Sequence, residues 1–116
     1  MTLVLEIEKP QHLTWPVTAR RPVDGGRSES HEISVTYELI ADDELEQLLK
    51  VPAAQRDRAI ACRVVRDWSG VADADGNPLP WSAPVRDWVL GHAVWLRRAL
   101  VLGFFAALAG EGPEKN

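Results

Sequence analysis

The chain has 116 residues, 46% of them apolar and 26% charged, with a formal net charge of −4. That is one globular domain, long enough to bury ~65% of its unfolded surface without staples. The acidic balance gives no electrostatic footprint for nucleic acid, and the single cysteine, Cys62, excludes an internal disulfide.

Thr2 to Glu8 alternates, with Leu3, Leu5 and Ile7 on one face, which predicts a short strand ended by Lys9-Pro10. No secretory leader is expected, because the start is not basic and Glu6 and Glu8 interrupt the apolar run. Thr14 to Arg21 alternates again, and Pro16 within it predicts an edge strand, since proline cannot donate to a ladder. Asp24-Gly25-Gly26 supplies a hairpin connection that needs positive φ. Ser30 to Leu39 is the cleanest strand pattern, with His31, Ile33, Val35, Tyr37 and Leu39 facing one way. Residues 1–40 therefore read as an antiparallel hairpin of two to three strands, solvated on one face.

From Ala41 the composition turns to helix formers. Asp43 and Glu46 read as a capping box before a short amphipathic helix carrying Leu45, Leu48 and Leu49. Ala54 to Trp68 reads as a second helix, its apolar stripe made by Ile60, Ala61, Val64, Val65 and Trp68. Cys62 lies among these apolar residues and reads as a small buried hydrophobe. Asp67 to Ser82 is then an ordered loop between two helices. Asp73 to Pro78 is its bend, and Trp68, Val71, Leu79 and Trp81 pin it. Ser82 is the expected N-cap of a helix that points Val85, Trp88 and Val89 inward and is broken or kinked near Gly91. A last helix follows from His92 to Ala109. The whole is an α+β domain, with the hairpin packed against about four helices over residues 41–110, and residues 111–116 as a flexible tail.

Ala99 to Ala109 is eleven residues without a polar side chain, far short of the ~20 that a membrane span needs. Such a helix is buried, in the core alone or in the core and an interface with a partner. Trp81, Trp88 and Trp95 recur every seven residues, and large core aromatics are the simpler account of them. Asp73, Asp75 and Asn77 begin like a calcium loop, but Gly76 falls at its fourth position and Pro84 at its twelfth, so no metal site is expected. His12, His31 and His92 sit in different elements, and nothing pairs Cys62 with a base. No catalytic residue, cofactor site or enzymatic activity is expected.

Three segments together carry a family resemblance. They are Thr14-Trp15-Pro16-Val17 with Arg21-Pro22-Val23-Asp24-Gly25-Gly26 and the strand to Leu39; Asp67-Trp68-Ser69-Gly70-Val71 through Asp75-Gly76-Asn77-Pro78-Leu79-Pro80-Trp81-Ser82; and the helix ending Phe105-Ala106-Ala107-Leu108-Ala109-Gly110, with Lys115-Asn116. This arrangement resembles the small tail assembly chaperones of long-tailed bacteriophages and prophages. It departs from their pattern at Trp81, where Phe is frequent, and in the tryptophan content of the Val85–Gly91 helix. The resemblance implies a non-enzymatic factor in the bacterial host cytoplasm, absent from the mature virion. Such a factor binds and solubilises the tape measure protein and helps recruit the tail tube protein; self-association is compatible with that role, and neither nucleic acid nor membrane is a partner. Many members also occur as a longer product of minus-one ribosomal frameshifting, and Glu114-Lys115-Asn116 can be encoded by a slippery heptamer. The partner-binding residues expected on the last two helices are Trp88, Trp95, Leu102, Phe104 and Phe105. The alternative is a structural minor tail or head–tail connector protein of the virion.

Overall fold

The computed structural model describes residues 1–112; the Glu114-Lys115-Asn116 stretch and the rest of the expected tail beyond Gly112 lie outside them. Its elements are β1 (Gln11–Val23), β2 (Arg27–Leu39), α1 (Asp42–Leu49), α2 (Ala53–Val64), β3 (Val65–Ser69), α3 (Ala83–His92) and α4 (Val94–Leu108). The strands form one antiparallel sheet in the order β1-β2-β3, and the fold is α+β.

The β1–β2 ladder runs without interruption from Gln11↔Leu39 to Val23↔Arg27. Gly25 and Gly26 close it at φ of 85° and 75°, a region that side-chain-bearing residues rarely enter. β1 is an edge, as Pro16 requires. Val17 and Ala19 of β1 and Ile33, Val35 and Tyr37 of β2 face the helices and are buried. His31, in phase with them, is exposed, although its cross-strand partner Ala19 is buried.

The Thr2–Glu8 segment is not a strand. It has no pairing partner among the described residues, and Leu3, Val4, Leu5 and Ile7 are 70–88% exposed. An alternating pattern specifies a strand only where an edge and an apolar surface receive it.

The third strand comes from the end of the expected second helix. Val65 leaves helical geometry at φ −80°, ψ 121°, and Val65–Ser69 pairs with β2 instead. Val65 and Trp68, three residues apart, would face opposite ways in a regular strand. A register shift between Thr36 and Tyr37 inserts one extra β3 residue, so both are buried on the same side. That spacing also matches one face of a helix, which is why the periodicity reads as helical. The Asp67–Ser82 stretch therefore joins a strand to a helix, although its pinned, ordered character holds. Trp68 Nε1 donates to the Leu79 carbonyl at 2.7 Å, Trp68 and Trp81 meet edge to face at 4.6 Å, and Ala72 pairs with Pro78.

Further corrections concern caps and single side chains. α1 begins after Ala41 with no side-chain cap; the Asp43 carboxylate accepts only from the Glu44 amide. Ser82 does cap α3, accepting from the Val85 amide. The helix break falls at Ala93 rather than Gly91, where α3 and α4 bend by 105°. Trp88 does not point inward: it is 59% exposed and stacked on His92. Cys62 is exposed, one position round α2 from fully buried Ala61. The chain remains held at Glu111, whose carbonyl accepts from Trp15 Nε1 at 3.1 Å and whose amide reaches the Ala106 carbonyl at 2.8 Å.

Candidate partner-binding surface

α4 sets the surface. Leu96, Leu100, Val101, Gly103, Phe104 and Ala107 form its buried face, packed on the sheet. Gly103 is the point of closest approach. A Cβ there would lie 2.6 Å from both Val17 Cγ2 and Tyr37 Oη. Tyr37 is fully buried and its hydroxyl donates to the Leu100 carbonyl at 2.6 Å, so the strand grips the helix by a directional bond as well as by packing. Burial pushes the Tyr37 phenol far above its ordinary pKa, which keeps it a donor.

From Ala99 onward α4 has no polar side chain, and such a stretch cannot bury every face against one sheet. The remaining side of α4 stays open, with Val94 52% and Leu102 62% exposed. Between this side and β1 lies a groove of about 750 Å³ lined by Thr18, Arg20, Pro22, Val94, Trp95, Arg98, Ala99 and Leu102. Its floor is apolar and its two guanidinium groups come from opposite walls. Neither Arg20 nor Arg98 forms an ion pair among the described residues.

The structure brings only two of the five expected binding residues into this groove, Trp95 and Leu102. Trp88 is exposed on α3, outside the groove lining, and Phe105 is half-buried. Phe104 is fully buried, its ring 5.6 Å from Tyr37, so in this fold it is a core residue and presents no surface to a partner. Core and surface positions of an apolar helical stretch look alike in sequence, and only the sheet decides which side is covered. The β1 contributors Thr18, Arg20 and Pro22 were not anticipated. The signal for them was present in the spacing of Pro16 and Pro22, which shows which strand residues turn their backbone outward.

The other charged cluster ties elements together. Arg63 of α2 donates to Glu38 of β2 at 2.9 Å and to both carboxylate oxygens of Glu44 in α1. The hydrogen bond from Arg63 holds the Glu38 carboxyl below its ordinary pKa, against the opposing effect of desolvation. The same bonds to Glu38 and Glu44 raise Arg63 further above its already high value. No group of three or more His, Cys, Asp or Glu among the described residues could hold a metal ion. No single helix among them is long and apolar enough to cross a membrane; α3 and α4 pass only as a pair, bent at Ala93. Comparison of the chain with protein-family models, curated proteins and solved structures returns no match.

Proposed function

We propose that this protein is a tail assembly chaperone of a long-tailed phage or prophage, acting in the host cytoplasm by binding and without catalysis. Its client is the tape measure protein, a long helical chain that it keeps soluble while tail tube subunits are recruited. The observation that carries this reading is the uncovered side of α4, where Val94 and Leu102 stand exposed beside an apolar groove. A contiguous apolar surface of this kind suits a segment of another chain. Many weak contacts of one type along an extended client would gain from avidity. The resemblance of the loop motif from Trp68 to Ser82 to that of the chaperone family supports the same reading.

The test is co-expression with the tape measure reading frame of the same genome. The expected result is a soluble complex, lost when Trp88 and Leu102 are both replaced by Asp, and particles that lack the protein. A client equally soluble without it overturns the reading, and retention of the protein in purified particles favours the virion-component alternative.

A further inference from the structure

We propose that the groove between β1 and α4 receives residues 2–8 of a second copy of this chain, added as a fourth strand on the β1 edge. The proposal goes beyond the client reading and does not rest on it; since both place a segment against Leu102, arm and client exclude one another there.

The β1 edge is open in a specific way. In an antiparallel ladder alternate residues turn their N–H and C=O toward the neighbouring strand, and the others turn them away. Pro16 and Pro22 have no N–H and sit in an uninterrupted register with β2, so the even-numbered residues are the outward set. Thr18 and Arg20, between the two prolines, thus present both backbone groups outward. No backbone bond from another element reaches them among the described residues. These same residues, with Pro22, form the strand wall of the groove. An open edge beside an apolar helix face is a template for strand addition.

The amino-terminal arm has the matching chemistry. Leu3, Leu5 and Ile7 alternate, and all three are at least 70% exposed and lie in no strand pairing among the described residues. On a strand added to β1, one face continues the helix-facing side of the sheet and the other continues the side of Thr18 and Arg20. With Leu3, Leu5 and Ile7 on the first face, they meet Trp95, Ala99 and Leu102. Glu6 and Glu8 then fall on the face of Arg20, a cross-strand pairing of opposite charge at a cation that has no ion-pair partner among the described residues. One register parity thus places Leu3, Leu5 and Ile7 on the apolar face and Glu6 and Glu8 on the charged face, with Val4 beside the glutamates.

The arm of the same chain cannot do this. Folded back around Lys9-Pro10, residue 8 lies opposite Gln11, which places Leu3, Leu5 and Ile7 opposite Pro16, Thr14 and His12. The apolar residues stop short of the Thr18–Pro22 stretch that lines the groove. The donor is therefore a second copy.

The experiment is sedimentation velocity on the full chain over a wide concentration range, with no client present. Wild type is expected to self-associate. Leu5→Asp and Leu102→Asp, both at exposed positions and thus compatible with folding, are each expected to weaken association by about tenfold or more. Trp88→Ala, outside the groove, leaves it unchanged. Charge reversal by Glu6→Arg with Glu8→Arg weakens it, and adding Arg20→Glu restores it. A chain that stays monomeric at every concentration overturns the proposal. So does association that survives Leu5→Asp, including the case in which Leu102→Asp alone abolishes it, since the groove would then hold some other segment.

Discussion

Replacing Gly103 with Ala tests how α4 is seated, and the seating creates the groove. On helix propensity alone the change would stabilise α4 by about 1 kcal/mol. The structure predicts the opposite sign. The new Cβ would stand 2.6 Å from Val17 Cγ2 and from Tyr37 Oη, about 1 Å inside ordinary contact. Neither neighbour yields easily. Val17 is 3% exposed and its methyl groups sit one bond from Cβ, while Tyr37 is fully buried and bonded to the Leu100 carbonyl. Overpacking of this kind costs ~1–3 kcal/mol. If α4 lifts to relieve it, the Tyr37 hydroxyl loses its acceptor in a dry site, a further ~1–3 kcal/mol. After the propensity gain, the two costs together leave a net destabilisation of about 1–5 kcal/mol. Urea unfolding followed by tryptophan fluorescence and by far-ultraviolet circular dichroism measures it. The Val17→Ala, Gly103→Ala double variant should lose about 1 kcal/mol or more less than the sum of the singles, because one methyl removes what the other collides with. A Gly103→Ala protein as stable as wild type, or more so, refutes the close seating of α4 on β1 and β2.

Two neighbouring residues of α4 should separate core from surface. Phe104→Ala is expected to cost ~3–5 kcal/mol in the same unfolding assay, whereas Leu102→Ala should change stability by no more than about 0.5 kcal/mol; equal losses would mean that the helix is rotated from its described orientation. The Arg63 cluster gives a pH dependence. Glu38 has a folded-state pKa below its ordinary value of 4.5, so it binds fewer protons when folded; its contribution is complete above that value and is lost as pH falls through the lower folded pKa. Arg63→Gln should therefore cost about 1 kcal/mol at neutral pH, and its deficit relative to wild type should shrink on acidification to about pH 3. A deficit independent of pH would show that the Arg63–Glu38 bond contributes nothing.

Local pattern and composition determined several features of this protein. The hairpin of β1 and β2 follows from two alternating runs around Asp24-Gly25-Gly26. The edge position of β1 follows from Pro16, the start of α3 from Ser82, and the burial of much of α4 from its eleven-residue apolar core. Each is a local signal, dictated by backbone sterics, a capping oxygen or a run of side chains. The α+β class follows once those pieces must share one core.

Only the tertiary structure decided the rest, because the same local pattern had two outcomes. Leu3, Leu5 and Ile7 alternate as well as Ile33, Val35 and Tyr37 do, yet only the second set has a strand beside it and helices above it. Val65 and Trp68 fit a helix face and a bulged strand equally, and the unfilled edge of β2 selected the strand. Leu102 and Phe104 are chemically alike and two residues apart; the position of Val17 and Tyr37 beneath Gly103 turned one inward and left the other at the groove. A period says which residues share a face, and contact with the rest of the chain decides which face is covered.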